Sequence, residues 1–452
     1  MQLPYHLVHK RIAFWLKNTQ PLTLPTRLWQ KIVQNLTNPL DCPDFIAAHR
    51  RRPQDFTRRR HLTFKNTVLF LLNQPCTALQ TELDPFFQVL HGSDFEQRVV
   101  TAQAFSLARN KLNPSVFESL NQILQQQIDQ LGLRQHWQGL QVLAIDGSSV
   151  HLPLELGMHH AFGTHCGHPV ARLSELYDVS DQQSLHSLMV SPGLSERDCA
   201  HLHLFHTPAD SVTLFDRGYP AQWLMALYVQ QNRHFVMRLP RDYTTEVKQF
   251  LASGKPEETR EFAAKSSHSR LMCSESGTDP NLALRLRIIR VELETGETEL
   301  LLTSLLDAQA YPVEQFAGLY NRRWGIETDF RRTKITLGLD NFSGRTPLAV
   351  KQDFHAAQLV KNLALLMQHL LQPVVDQRQK GSKWRWKTNF TQAVSRMKNS
   401  LVKLLNQPCA QGWHNLLTLM AGCLSVVRPG RRYPRHRKRP ASRGCEGYKP
   451  TR

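Results

Sequence analysis

The apolar positions of this chain change period near Leu140, and that change divides it. Before about Trp137 they recur at helical intervals, in Thr67-Val-Leu-Phe-Leu-Leu, from Ala78 to Leu90 and from Asn113-Pro114 through Gln127. Beyond it, Gln141-Val-Leu-Ala-Ile145 is a short apolar run ending in Asp146-Gly147, the pattern of a buried strand with a carboxylate at its tip. Ala171 to Val179 and Ser184 to Val190 predict two more strands about a Ser180-Asp-Gln turn, and Ser195 to His206 predicts a helix. Ser211-Val-Thr-Leu-Phe215 is again an apolar strand that ends in an acid, Asp216-Arg-Gly-Tyr219. A helix opened by Pro220 and a strand over His234 to Arg238 follow. From Arg241 to Asp307 a polar stretch leads into a β-ribbon, Leu282 to Glu294 and Glu297 to Leu306, turning at Thr295-Gly296.

Pro312 to Gly338 predicts one helix with two stripes. With Tyr320 at zero on a wheel of roughly 100° per residue, Arg323, Glu327 and Lys334 fall within about 60° of it. Leu319, Ile326, Phe330 and Leu337 form a second, apolar stripe that anchors the helix on a core. Asp353 to Gln372 is a further apolar helix, and Lys380 to Val427 holds helical patches. The order predicts an α/β fold with a mixed sheet and a β-rich insertion, flanked by helical N- and C-terminal regions. The expected domains are 1–137, a helical DNA-binding region; 138–345, the α/β domain, with 241–307 inserted; 346–428, helical; and 429–452, a basic tail.

Charge narrows the partner. Among 452 residues, 56 Lys and Arg against 37 Asp and Glu leave a net charge of +19, which points to a polyanion, with nucleic acid the default. No apolar run approaches the roughly 18–20 residues of a spanning helix, and the start lacks a signal-peptide core. A cytoplasmic, nucleoid-associated protein is expected, with no membrane partner. The run Arg431-Arg432-Tyr-Pro-Arg435-His-Arg437-Lys438-Arg439 is expected to be a disordered, phosphate-scanning tail. Thr101 to Lys111 has the small, polar and basic character of a helix presented to a DNA groove, and equally that of an ordinary surface helix. The eight cysteines include no C-x2-C pair. His159, His160, His165, Cys166 and His168 match no standard zinc spacing and are expected to be loop residues, while His201, His203 and His206 are expected to be surface or partly buried helix residues.

Asp146, Asp216 and Glu327, two at expected strand ends and one on the anchored helix, suit two Mg²⁺ ions that also bind phosphate oxygens. A solvated, salt-bridged face is the plain alternative for the helix stripe. Paired acids could also serve glycoside hydrolysis, which leaves the basic charge unexplained.

Asp146-Gly, Asp216-Arg-Gly-Tyr and Tyr320-x2-Arg323-x3-Glu327-x6-Lys334, in that order, resemble the bacterial insertion-sequence transposases of the Asp-Asp-Glu type, in the branch named for insertion sequence four. The resemblance implies a ribonuclease-H-like catalytic core, with Asp146, Asp216 and Glu327 as catalytic metal ligands. It implies Mg²⁺ as cofactor, two ions with Mn²⁺ able to substitute, and Tyr320, Arg323 and Lys334 on the DNA phosphates. The implied partners are insertion-sequence ends and target DNA, bound by a homodimer, and the implied activity is strand cleavage and transfer. A transposase-derived repressor and a structure-specific nuclease are the alternatives. Relatives that cut through a DNA hairpin stack an insertion-domain tryptophan on a flipped base. This chain has only Tyr243, Phe250 and Phe262 as aromatics between Arg241 and Asp307, leaving Trp324 as the candidate for stacking.

Overall fold

The change of period near Leu140 is also a change of architecture. A computed structural model describes residues 22–428 apart from 59, 76, 166, 293–295, 340 and 408, so the basic tail lies outside the described residues. The chain divides into two compact units, one of residues 1–133, 151–170 and 332–452 and the other of 134–150 and 171–331.

Helices α1 (Thr23–Thr37), α2 (Pro43–His49), α3 (Phe64–Leu72), α4 (Leu79–His91), α5 (Ala102–Arg109) and α6 (Ser115–Gln130) come first. They are followed by β1 (Gln141–His151), α7 (Leu156–Phe162), β2 (Thr164–His165), β3 (His168–Asp178) and β4 (Gln183–Val190). Then come α8 (Glu196–Leu204), β5 (Ser211–Phe215), α9 (Gln222–Gln230) and β6 (His234–Leu239). The inserted stretch supplies α10 (Thr245–Ser253), β7 (Glu257–Phe262), α11 (Ser267–Glu275), β8 (Leu284–Glu292) and β9 (Thr298–Thr303). Next are α12 (Glu314–Asn321), α13 (Trp324–Arg331), a π-helical turn over Arg332–Thr336 and α14 (Pro347–Arg378). The last elements are β10 (Arg385–Thr388), α15 (Phe390–Met397), α16 (Ser400–Asn406), α17 (Ala410–Gly422) and β11 (Leu424–Val427).

The helical unit is organised on α14, whose 32 residues span about 48 Å. Thr346 caps it by accepting from the Ala349 N–H at 3.2 Å, and Pro347 occupies its first turn, where a missing N–H costs nothing. From Ala356 to Met367 every residue is buried, so this stretch is a core helix covered on all sides rather than an amphipathic one. Trp29, Phe70, Phe86, Phe117, Leu405 and Trp413 join its apolar residues in one core. The polar interruptions are paired: Lys361 donates to Thr333 Oγ1 at 3.2 Å and Asn362 to Asn121 Oδ1 at 2.7 Å. The antiparallel pair β10/β11, at the start and end of the stretch expected only to hold helices, is an addition that the sequence pattern did not signal.

The other unit is built on the mixed sheet expected. Its strands run β4-β3-β1-β5-β6-β9-β8-β7, with β1, β5 and β6 parallel and the pairs β4/β3, β6/β9, β9/β8 and β8/β7 antiparallel. The inserted strands are not a free ribbon. β9 pairs with β6, Val236 opposite Thr303 through Leu239 opposite Leu300, so the insertion extends the sheet. Nor does β8 simply alternate arginine and apolar residues: Arg285 is exposed, but Arg287 is buried, donating to the Tyr311 carbonyl at 2.8 Å and pairing with Glu257. None of the described helices is long and apolar enough to cross a membrane.

Candidate active site

The sheet register places the two aspartates. β1 and β5 pair in parallel from Gln141 opposite Ser211 to Ala144 opposite Leu214, an offset of 70 residues. Asp146 and Asp216 are separated by the same 70, and each lies two residues past the last pair. Side chains alternate faces with a period of two, so both carboxylates leave on the face of Ala144 and Leu214, at the carboxyl end of adjacent parallel strands about 4.8 Å apart. In open α/β sheets this is the edge where ligands bind. Asp216 does follow the end of its strand. Asp146 does not: β1 runs on to His151, because beyond the end of β5 it still has β3 as a neighbour.

Glu327 arrives on α13, anchored by buried Ile326 and Phe330, each contributing about 1.5–3 kcal/mol by burial. The single helix expected from Pro312 to Gly338 is in fact broken. Arg322 and Arg323 form a turn between α12 and α13, where Arg322, Arg323, Gly325 and Ile326 all donate to the carbonyl three residues back. Such bonds tighten the winding, so the wheel of roughly 100° per residue does not run through the junction. The apolar stripe survives the break, since Leu319, Ile326, Phe330 and Leu337 are all buried. Lys334 lies in the π-helical turn, half-buried, in the helical unit.

Arg323 joins the acids. It is 3% exposed, with Nη1 at 3.5 Å from Asp146 Oδ2 and Nη2 at 3.2 Å from Glu327 Oε1, while its Nε has no hydrogen-bond partner. Its guanidinium carbon stands 5.0 Å from the centre of the half-exposed Trp324 ring. Burial works against its charge, but Tyr320, Asp216, Asp146 and Glu327 outweigh that and raise its pKa. Tyr320 is buried, and its hydroxyl donates to the Phe215 carbonyl at 3.2 Å, fastening α12 to the end of β5 beside Asp216.

Asp146 is pushed up to about 6, chiefly by burial; the Gly147 N–H at 2.8 Å and Arg323 oppose this, while Glu196 and Glu327 add to it. Asp216 Oδ1 is enclosed without a hydrogen-bond partner. A carboxyl held above its ordinary range beside an orphan carboxylate oxygen is a donor set suited to a hard divalent cation. As the side chains stand, no group of three His, Cys, Asp or Glu among the described residues is close enough to hold an ion, and Arg323 bridges Asp146 and Glu327 instead.

One neighbour escaped the sequence reading, and a second was read only as the last residue of the Asp216-Arg-Gly-Tyr motif. Glu196, in the first turn of α8, and Tyr219, whose N–H donates to the Asp216 carbonyl at 3.2 Å, both interact electrostatically with Asp146. A signal for the first existed in Ser195 and Asp198, which form a reciprocal capping box and so fix where α8 starts. Elsewhere, His203 is fully buried rather than at the surface or partly buried, 2.9 Å from His186 and 3.0 Å from Ser174 Oγ. His159 and His160 lie on α7, not in a loop, and Cys166 is outside the described residues.

A known family covers this stretch. The family described as Transposase DDE domain matches residues 137–363, 227 of 452 and so half of the chain. Transposase InsG for insertion sequence element IS4, from Escherichia coli K12, is 26% identical over 237 residues, 50% of this chain and 52% of that one. The transposase for insertion sequence element IS421 of Escherichia coli is 37% identical over 91 residues, 20% of this chain and 24% of that one. The chain thus spans about half the length of the first relative and a quarter of the second. Among solved structures, a piggyBac transposase synaptic complex with hairpin DNA aligns over 92% of this chain and 88% of that one, with 10% identity and a TM-score of 0.38.

Proposed function

The chain belongs to the Transposase DDE domain family, and on that footing we propose that it is a DNA transposase which binds the ends of its insertion sequence and catalyses metal-dependent strand cleavage and transfer. The observation that carries this reading is the shared 70-residue offset, which sets Asp146 and Asp216 side by side, with Glu327 joined to Asp146 through Arg323. Asp146, Asp216 and Glu327 would hold Mg²⁺, two ions with Mn²⁺ as a substitute. Bound there, the metal supplies Lewis acidity toward phosphate oxygens and activates the attacking oxygen.

The protein's own groups do the rest. Asp146 would give its carboxylate to the cation. Arg323, which faces Asp146 and Glu327, would offer a two-point fork to a DNA phosphate. Lys334 offers a point charge to another. Tyr320 positions the Asp216 strand end through the Phe215 carbonyl, and its phenol approaches DNA only if that bond opens. Phe250 and Phe262 are buried, so among the aromatics considered for base stacking Trp324 is the best exposed. The helical region 1–137 reads the element ends, the basic tail adds sequence-independent contacts, and two copies act together on DNA in the cytoplasm, at the nucleoid.

Asp146→Ala, Asp216→Ala and Glu327→Ala are each expected to abolish cleavage of end-containing DNA and leave gel-shift binding intact. Retained cleavage in any variant removes that residue from the site. A wild type that binds ends without cutting them would establish the repressor alternative; cutting without end preference or joined products would establish the nuclease.

A further inference from the structure

The glycines behind the two aspartates do not turn the chain. Neither Gly147 nor Gly218 has a positive φ, so what they supply is room. A Cβ at Gly147 would stand 3.1 Å from Glu196 Oε1, and one at Gly218 3.8 Å from Glu196 Oε2. The Glu196 carboxylate therefore rests against the backbone next to Asp146 and against the turn that carries Asp216. The start of α8 is held in this place. Ser195 and Asp198 cap it reciprocally, and Arg197 Nε donates to the Gly218 carbonyl at 3.0 Å.

Charge balance is incomplete here. The Arg172 guanidinium is 3.6 Å from Glu196 Oε1, a loose ion pair. Beside it the Tyr219 hydroxyl, 1% exposed as a residue, has no hydrogen-bond partner. Burial first, and then the charges of Asp146 and Glu196, raise its pKa well above the ordinary phenol value. A buried hydroxyl without a partner leaves hydrogen-bonding capacity unused at this spot. Mg²⁺ and Mn²⁺ favour oxygen donors and keep several waters, so an acid at one remove from the first ligand orients those waters or displaces one.

We propose that Glu196 is a fourth carboxylate of this centre, giving a direct or water-bridged oxygen to the divalent cation that Asp146 holds. This rests on the reading of Asp146 as a metal ligand, and the experiment separates the two. Mn²⁺ binding to the full-length protein without DNA is measured by the loss of the free-ion electron paramagnetic resonance signal. The wild type is compared with Asp146→Ala, Glu196→Gln and Arg172→Gln, and each is melted without metal. Glu196→Gln is expected to weaken Mn²⁺ binding about 10–100-fold, the range for outer-shell carboxylates, with an unchanged metal-free melt. Arg172→Gln breaks the same ion pair but leaves the carboxylate, and is expected to bind Mn²⁺ as well as the wild type or better. Wild-type affinity in Glu196→Gln, with binding lost in Asp146→Ala, overturns the role of Glu196 alone. Equal weakening in Glu196→Gln and Arg172→Gln assigns the effect to the ion pair and also overturns it. A wild type that binds no Mn²⁺, or an Asp146→Ala variant that binds as well as the wild type, overturns the parent reading and the proposal with it.

Discussion

Two arginines in this molecule are each 3% exposed and each face carboxylates, yet they are built to opposite standards. Arg109, in the helical unit, donates from Nε to Gln352 Oε1 at 2.9 Å and from Nη1 to Ser343 Oγ at 3.0 Å. Its Nη2 reaches the Ala349 carbonyl at 3.0 Å and Asp353 Oδ1 at 2.9 Å. Asp353 also accepts from the Ser343 N–H at 2.6 Å, and Gln352 returns bonds to the Arg109 and Leu112 carbonyls at 2.8 Å. Arg323, in the sheet unit, has two contacts of 3.5 and 3.2 Å and an unpartnered Nε, and its acids are partly open to water. The first network is closed, so its polar groups are matched inside the protein. The second leaves capacity for a ligand, which is the difference between a buried charge that fixes structure and one kept for chemistry.

The contrast can be broken from either side, and the expected effects on stability run from large to small. Arg109→Met leaves Asp353, 11% exposed, without its cation and should cost about 3 kcal/mol in chemical denaturation. Next comes pH, read in chelator. The folded chain holds the Asp146 proton up to about pH 6, whereas an unfolded Asp loses it near 3.8. The folded form therefore binds more protons in that window, and this group's contribution to stability falls as pH rises from about 4 to above 6. Over that range Asp146→Asn should gain about 3 kcal/mol relative to wild type. A flat difference between the two would mean that Asp146 titrates normally. Smaller still, Gly344→Ala forces a Cβ to 2.5 Å from the Ala349 Cβ and 2.9 Å from Arg109 Nη1. It should destabilise by about 1–3 kcal/mol as the closed network shifts. Last, Arg323→Lys keeps the charge and should lower stability less than Arg109→Met while sharply reducing end cleavage, since a point charge cannot reproduce a fork. If it lowered stability as much as Arg109→Met, the two arginines would be alike and the contrast would fail.

Strands and helices around the site were legible because their apolar runs are short, pure and punctuated: Gln141 to Ile145 and Ser211 to Phe215 lie where the pattern puts them. What escaped depends on partners that are distant in sequence. Arg109 ends a helix whose composition also suits a DNA groove, and only Gln352, Ser343 and Asp353, more than 200 residues on, turn it inward. The continuation of β1 past Asp146 depends on β3, and the attachment of the insertion depends on β6. The break at Arg322 and Arg323 could not be seen on a wheel that assumes constant pitch, and Gly325 at its edge was the one local sign of it. Glu196 was hidden for a simpler reason: it belongs to neither the run that ends in Asp146 nor the one that ends in Asp216, and glycine space brings it to both.

The shared offset of β1 and β5 makes the distance between the two aspartates a property of the hydrogen-bond ladder and not of the chain that joins them. Segments of the crossover can lengthen or shorten at little entropic cost, about 0.6 kcal/mol for each doubling of a flexible loop, without moving either carboxylate. A slip of β5 by one residue along β1 is another matter, because it would turn Asp216 to the opposite face of the sheet. Counting residues between acids is therefore a poor ruler for comparing this chain with others, and counting ladder positions is a good one. An engineer who wishes to graft a sensor or tag between these strands has a wide choice of sites, provided the rungs from Gln141 to Ala144 stay opposite Ser211 to Leu214.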